Sequence, residues 1–120
     1  MAKTIDQISV FLNNKPGVLN EFLKNLEKEQ INLHSLNISE TDKYGVARII
    51  VDNAHKVFEY LKSQKYLLSI TPVFVVSVNH SYGALKELVE IISSETINIE
   101  YMYSMAYLKK ENEAYMPIVE

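Results

Sequence analysis

The chain carries an internal repeat. The segment Val10–Leu33 aligns with Val76–Ile99 at a fixed offset of 66 residues and without a gap. The identical pairs are Val10/Val76, Asn13/Asn79, Gly17/Gly83, Leu19/Leu85, Glu21/Glu87, Glu29/Glu95, Ile31/Ile97 and Asn32/Asn98. A register that is kept across a strand, a loop and a helix indicates that one small structural unit was duplicated. The repeated glycine places the same strand-to-helix loop in both copies.

Composition restricts the classes of function. The chain has 120 residues, a net charge of −3 and a single arginine, Arg48, so it lacks the clustered Lys and Arg of a nucleic-acid surface. It has no cysteine, which excludes disulfides and thiolate metal sites. No apolar run approaches the length of a membrane span, and the N-terminal residues lack the apolar region of a signal peptide. We therefore expect a soluble cytoplasmic protein.

The first half has the pattern of a βαββαβ unit. Apolar residues alternate with the period of a strand around Val10 and recur with the period of a helix after Gly17. Their phase slips between Leu33 and Leu36, which indicates a β-bulge in the second strand, and Asp52-Asn53 can cap a second helix. The expected elements are strand Ile8–Asn13, a helix from Val18, strand Ile31–Glu40, a hairpin loop at Thr41–Gly45, strand Val46–Val51, a helix that carries Val57, Phe58 and Leu61, and strand Leu67–Ile70.

The second half repeats only part of this pattern. Its expected elements are strand Phe74–Asn79, loop His80–Gly83, helix Ala84–Ser93, strand Ile97–Leu108, a polar loop at Lys109–Glu113 and strand Ala114–Val119. We predict a complete first domain at 1–72 and a second domain at 73–120 that lacks its last helix and strand. Either the natural chain is truncated here or a partner strand covers the edge at Phe74–Asn79, because an open apolar edge promotes association.

Two short motifs occur at the spacing of a known family. They are Asn14-Lys15-Pro16-Gly17-Val18-Leu19 and, after the helix, Ile31-Asn32-Leu33. This combination resembles the ACT domain, a regulatory module that binds amino acids, whose pattern is strand, Asn/Asp-x-Pro-Gly-x-Leu, amphipathic helix and Ile-Asn-Ile. The resemblance covers nearly the whole chain and is greatest to tandem ACT proteins that have no attached enzyme. It implies an α+β, ferredoxin-like fold, which hosts many functions and by itself settles none.

The chemistry of the first loop suits a small zwitterionic ligand. Gly17 allows a ligand to approach the backbone, and Pro16 directs the chain into the helix. The first N–H groups of a helix have no acceptor within it, so they can bind a carboxylate. The amide of Asn14 can bind either an ammonium or a carboxylate group. The resemblance places a second asparagine, Asn32, across a domain–domain interface from this loop.

The candidate ligand-binding residues therefore fall into two sets. The first set is Asn14, Lys15, Pro16, Gly17, Val18 and Asn32, and the second is His80, Ser81, Tyr82, Gly83 and Asn98. In the second copy His80, Ser81 and Tyr82 replace the Asn-Lys-Pro of the first. A tyrosine at the proline position leaves the loop freer and adds an aromatic wall. We expect this loop either to prefer a different ligand or to bind none.

Plainer interpretations of the same residues stay open. Pro16-Gly17 could be only a turn and a helix start, and Asn32 and Asn98 could begin strands by capping the backbone. The tyrosines at positions 101, 103 and 107 share one strand face but lack the basic neighbours of an RNA-binding sheet. We expect that face to be buried against another subunit.

Catalysis, metals and cofactors find little support in the sequence. His34, His55 and His80 are far apart and have no cysteine or facing carboxylates, so we expect no metal site. Neither a Ser/His/Asp nor a Cys/His arrangement is present, and no paired carboxylates lie beside the glycine loops. Acylphosphatases share this fold but require an arginine in a phosphate-binding loop, and neither loop has one. We expect no enzyme and no cofactor.

The sequence thus predicts a tandem amino-acid sensor. A small amino acid would bind between domains and favour one arrangement of paired domains, which would regulate a partner such as a metabolic enzyme. Small units with an open edge also predict a homodimer. The alternative is a ligand-free structural module that uses the same sheets to dimerise or to dock on an enzyme.

Overall fold

The computed structural model describes residues 3–40, 44–79, 81–96, 98–103 and 113–119. These residues form two compact units. One unit is Asp6–Thr71, and the other begins at Pro72 and includes the first residues of the chain. The assignment of residues 1–72 and 73–120 to separate domains stays a prediction.

The unit Asp6–Thr71 has the predicted βαββαβ order. Its elements are β1 (Lys3–Asn13), α1 (Val18–Lys28), β2 (Leu33–Glu40), β3 (Tyr44–Val51), α2 (Ala54–Ser63) and β4 (Leu67–Asn79), of which β4 continues into the other unit. The strand order is β2-β3-β1-β4, and β3 is antiparallel to both of its neighbours. The predicted α+β, ferredoxin-like fold is confirmed.

One face of this sheet and the two helices enclose the core. Ile8 of β1 lies directly opposite Ile49 of β3, and both are fully buried. Phe22 of α1 is also fully buried, and its ring meets that of Tyr66 edge-on at a centroid distance of 5.4 Å. The remaining members of the core cluster are Val10, Leu12, Leu26, Ala47, Val51, Val57 and Leu61. The alternation of strand residues and the helical stripe thus place their apolar sides in one shared layer.

The predicted bulge in the second strand is confirmed. Leu33 is paired with Val51 and Ser35 with Ile50, so the register shifts at the intervening His34. The extra residue changes which side chains face the helices, as the slip in the apolar pattern indicated. The strand itself begins at Leu33, so Ile31 and Asn32 precede it.

The prediction of two separate strands, Leu67–Ile70 and Phe74–Asn79, is wrong, although the division between the two compact units does fall between Thr71 and Pro72. A single strand, β4, runs through Leu67–Asn79 where two strands were expected. Proline has a φ angle that is compatible with extended backbone, and its only cost in a strand is one missing N–H donor. An exposed proline can therefore be accommodated without ending the strand, and Pro72 is exposed.

The second unit contains one helix and short antiparallel strands. α3 spans Ala84–Ser94, β5 spans Tyr101–Met102 and β6 spans Glu113–Val119. The strand order is β5-β6-β4, and the start of β1 lies on the other side of β4. β4 therefore has a neighbouring strand on each side, β6 and β1, and Phe74–Asn79 is paired with β6. Residues 98–100 are not in a strand, so the strand predicted from Ile97 begins at Tyr101, and positions 97 and 104–112 lie outside the described residues.

Candidate functional site

The loop after β1 turns on a glycine in the left-handed region. Gly17 has a φ of 87° and a ψ of −16°, and it immediately precedes the first helical residue, Val18. A Cβ atom built at Gly17 would meet nothing within 4 Å. The glycine is therefore required by backbone conformation, because L side chains are strained at positive φ, and not by a lack of space.

The start of α1 leaves backbone donors available to a ligand. The N–H of Val18 donates to the carbonyl of Lys15 at 3.3 Å, and the N–H of Glu21 donates to that of Gly17 at 3.0 Å. Between them, the N–H groups of Leu19 and Asn20 have no acceptor among the residues that the structure describes, and no side chain caps the helix. Leu19 and Asn20 were not among the predicted ligand-binding residues. Their contribution comes from the backbone, so helix position was the signal that could have identified them.

The side chains around these donors are open to solvent. Asn14, Lys15, Pro16 and Gly17 are all exposed, and the loop is held by a bond from the N–H of Lys15 to the carbonyl of Asn13 at 2.9 Å. A cation, an amide and two backbone donors thus lie within a few residues of one helix start. Such a group attracts a carboxylate, because the helix dipole and the unsatisfied N–H groups act in the same direction.

The second copy has the same backbone turn. Gly83 has a φ of 80°, the N–H of Ala84 donates to the carbonyl of Ser81 at 3.3 Å, and that of Glu87 donates to Gly83 at 3.0 Å. Tyr82 is fully exposed, at 107% of its reference area, so its ring stands in solvent and forms no wall within the described residues. His80 lies outside the described residues, and Asn98 is exposed and precedes β5.

The two predicted asparagines of the first unit do not meet. Asn32 precedes Leu33, which is paired with Val51 at the end of β3, whereas Asn13 is paired with Tyr44 at the start of β3. Seven residues of strand separate these positions, which corresponds to roughly 24 Å. The loop at 14–18 and Asn32 therefore lie at opposite ends of the same unit.

Asn32 lines a cleft of about 240 Å³ between the end of α1 and the start of α2. The charged and polar residues around this cleft are Glu29, Gln30, Asn32, Asp52, Asn53, Lys56 and Tyr60. Loss of hydration raises the pKa of Tyr60, and the Glu29 carboxylate and Tyr66 raise it further. The phenol therefore stays protonated at neutral pH and is able to donate a hydrogen bond.

The predicted cap of α2 has a different structure. Asn53 occupies the N-cap position, but its φ is 53° and its side chain makes no capping hydrogen bond. Asp52 instead pairs with His34, with Oδ1 and Nε2 at 2.7 Å. The sequence therefore predicted the start of the helix correctly, whereas the predicted side-chain cap is wrong, since the Asn53 backbone is left-handed without a capping bond and Asp52 is paired with His34.

The histidines of the described residues form side-chain pairs. Besides the pair of His34, the Nε2 atom of His55 lies 3.2 Å from a carboxylate oxygen of Asp6. Across the described ranges no group of three or more His, Cys, Asp or Glu is placed to hold a metal ion. Among the same residues no helix is long and apolar enough to cross a membrane.

Two of the three tyrosines predicted to share a face are stacked. The rings of Tyr101 and Tyr103 have centroids 6.5 Å apart and planes 11° from parallel. Both side chains are half-buried. Tyr107 lies outside the described residues, so the prediction that all three face another subunit stays a prediction.

Comparison with known proteins identifies proteins that are similar to this chain. The sequence matches the family described as an ACT domain pair over residues 3–113. A Bacteroides thetaiotaomicron protein of known crystal structure is 38% identical, with a TM-score of 0.88, and the match covers 98% of this chain and 80% of that chain. A search of curated proteins found no match.

Aspartate kinases provide more distant structural neighbours. The ligand-free regulatory subunit of aspartate kinase from Thermus thermophilus is 15% identical, with a TM-score of 0.69, over 98% of this chain and 85% of that chain. Aspartate kinase from Clostridium acetobutylicum is 16% identical, with a TM-score of 0.58, over 98% of this chain and 30% of that chain. At these identities the similarity establishes a common fold.

Proposed function

Because this chain belongs to the ACT domain pair family, we propose that it is a regulatory protein that binds a small amino acid and performs no chemistry of its own. ACT domains are regulatory modules. The fold class is common to many functions, so the proposal depends on the candidate site and not on the fold.

The observation that supports the proposal is the set of unused donors at the start of α1. The N–H groups of Leu19 and Asn20 have no acceptor within the described residues, and Lys15 and Asn14 are exposed beside them. A carboxylate would satisfy both donors and complement the helix dipole. The side-chain carbonyl of Asn14 would accept a hydrogen bond from the ligand's ammonium group. The loop would then bind both charged groups of an amino acid.

The binding site would be completed by a second module. Since Asn32 lies at the far end of the unit from the 14–18 loop, one unit cannot hold a small amino acid between the two. We propose that the loop of one module faces the Asn32 region of another, with the corresponding positions of the second copy, Gly83 and Asn98, used in the same way. A homodimer would supply such pairs.

Binding between modules would link the ligand to regulation. A ligand that contacts two bodies favours the arrangement in which both contacts are made, and the free energy of binding then shifts that equilibrium. The structural neighbours include a regulatory subunit of aspartate kinase. By extension we propose that the partner of this protein is a cytoplasmic metabolic enzyme.

Thermal unfolding in the presence of each common amino acid tests the proposal. At a ligand concentration 100 times Kd, binding stabilises the folded state by about 2.7 kcal/mol, which raises the melting temperature. Asn14→Ala should remove most of this shift, because it deletes a ligand contact and leaves the backbone turn intact. Asn37→Ala, in the middle of β2, is the matched control and should retain the shift.

Two results would contradict the proposal. A melting temperature that is unchanged by every amino acid would favour the ligand-free docking module. A shift that persists equally in both asparagine variants would show that an amino acid binds, but at a different site.

A further inference from the structure

A carboxylate stands at the end of each duplicated helix, Glu29 after α1 and Glu95 after α3. The two are an identical pair of the repeat, and both occupy the C-cap position. Their backbones are nearly the same, with φ −91° and ψ 7° at Glu29 and φ −90° and ψ 10° at Glu95. A negative charge at this end of a helix opposes the helix dipole, which favours cations there. Both copies therefore keep a carboxylate where it does not stabilise the helix.

The helix end itself does not require a carboxylate. α2, which lies outside the repeated segment, has Gln64 at its C-cap, with φ −87° and ψ 7°. Glutamine has nearly the shape of glutamate and carries no charge. Because the same turn forms with this neutral side chain, the charge of Glu29 has a role other than ending the helix.

Glu29 lines the cleft of about 240 Å³ that Asn32 and Tyr60 also line. A carboxylate, an amide and a phenol thus border one cavity, and each has an oxygen that can accept a hydrogen bond. Loss of hydration raises the pKa of Tyr60, and the Glu29 carboxylate raises it further, so the charge of Glu29 lies near the phenol.

The carboxylate of Glu29 is available to a ligand. Among the described residues its side chain forms neither a hydrogen bond nor an ion pair, and this includes Lys56, which lines the same cleft. The other carboxylate of the cleft, Asp52, is already paired with His34 at 2.7 Å. Glu29 is thus the acidic group of this cleft that a bound cation would meet.

We propose that Glu29 and Asn32 bind the ammonium group of the amino acid whose carboxylate is held by the 14–18 loop of the facing module. This inference rests on the proposed function and assigns the second half of its site. An ammonium group has three N–H donors. Asn14 would accept one of them, and Glu29 and the side-chain carbonyl of Asn32 would accept the other two. The bond to Glu29 joins two charged groups, so it is stronger than a bond between neutral ones.

This arrangement defines the class of ligand. The ligand must carry a free ammonium group beside its carboxylate, so an N-acetyl amino acid should be rejected although it keeps the carboxylate and the side chain. The second copy has Glu95 and Asn98 at the same spacing and would recognise the same group.

Isothermal titration calorimetry of the full chain tests the assignment. The probes are each common amino acid that raises the melting temperature and its N-acetyl derivative. The derivative should bind at least about tenfold more weakly, because its uncharged amide N–H cannot replace a charged donor to Glu29.

Two matched variants test Glu29 itself. Glu29→Gln removes the charge and should raise the Kd for the amino acid at least about tenfold. Glu59→Gln makes the same change next to Tyr60 but outside the cleft, and it should leave the Kd within about twofold of the unsubstituted chain.

Two further measurements separate ligand binding from a structural role. Without ligand, the melting temperature of Glu29→Gln should stay the same or rise, because the change removes a charge that opposes the helix dipole. Lys56→Gln should not weaken binding, because it removes from the cleft a charge of the same sign as the ammonium group.

Three outcomes would overturn this inference and leave amino-acid sensing intact. They are equal affinity for an amino acid and its N-acetyl derivative, an unchanged Kd in Glu29→Gln, and equal losses of affinity in Glu29→Gln and Lys56→Gln. The last would show that the two side chains act as an ion pair. Failure of every amino acid to raise the melting temperature would contradict the proposed function and this inference with it.

Discussion

At the scale of single residues, the two repeated glycines have a conformational role. Gly17 and Gly83 have φ angles of 87° and 80°, and a Cβ at either would meet no atom within 4 Å. The third glycine, Gly45, lies in β3 and is not in the left-handed region, and a Cβ built on it would lie 3.9 Å from each of two carbonyl oxygens. The duplication therefore retained glycine where the turn into a helix requires the left-handed region.

We predict that Gly17→Ala lowers the free energy of unfolding by about 1 kcal/mol, because alanine is strained at positive φ while its methyl group meets no steric conflict. Gly45→Ala is the control and should change stability by less than about 0.5 kcal/mol, since its Cβ would make only ordinary contacts. Urea denaturation measures both. Equal effects at the two positions would show that the turn at Gly17 is not under this constraint.

Only some parts of the candidate site were predictable from the sequence. Proline and glycine are typical turn residues, so Pro16 and Gly17 indicated the loop in the sequence. The donors that the structure adds, on Leu19 and Asn20, belong to the backbone. Side-chain identity carries no signal for such groups, and only their place in the helix reveals them.

At the scale of elements, α1 and α3 show that the same pattern can be buried to different extents. Both helices present apolar residues at helical spacing, and both begin after a left-handed glycine. In α1 the side chains of Phe22 and Leu26 are buried, whereas α3 has no buried residue. Periodicity therefore identifies the apolar side of a helix but not how much of it other elements cover.

We predict that Leu26→Ala costs about 2–5 kcal/mol of stability, because it leaves a cavity in the core of the unit Asp6–Thr71. Ile92→Ala, at the corresponding position of the repeat, should cost less than about 2 kcal/mol in the monomer, since its side chain is only half-buried. Denaturation at low protein concentration compares the two. A larger effect at Ile92 would contradict the exposure of α3.

The strands show a second limit on what the sequence predicts about individual elements. The bulge at His34 was predictable, because an extra residue keeps Leu33 and Leu36 on the same face of the sheet only if the apolar pattern slips in phase between them. The continuity of β4 was not, because Thr71-Pro72 has the composition of a join. Whether a proline ends a strand depends on whether its missing N–H was needed, and the neighbouring strand decides that.

At the scale of the whole molecule, most of the side chains that are described as buried lie in the unit Asp6–Thr71. Every member of the core cluster belongs to the unit Asp6–Thr71. In the other unit, Val73 and Val75 of β4 are the buried side chains among the residues whose burial is described. Local opening should therefore require less free energy around α3 than around β1 and β3.

Hydrogen exchange measures this difference. We predict that the amides of α3 exchange faster than those of β1 and β3 at concentrations where the chain is monomeric, because few apolar contacts oppose opening of the helix. Equal protection of α3 and β1 in the monomer would contradict the uneven burial.

The sequence alone determined the repeat, the order of the elements, the glycine turns and the bulge, because each of these is encoded in local spacing and in the backbone preferences of a few residues. The tertiary structure decided what depends on distant parts of the chain. It placed the 14–18 loop and Asn32 at opposite ends of one unit, and it joined two expected strands into β4. It also left α3 exposed although its pattern matches that of a buried helix, because burial is set by the elements that pack against a helix and not by the helix itself.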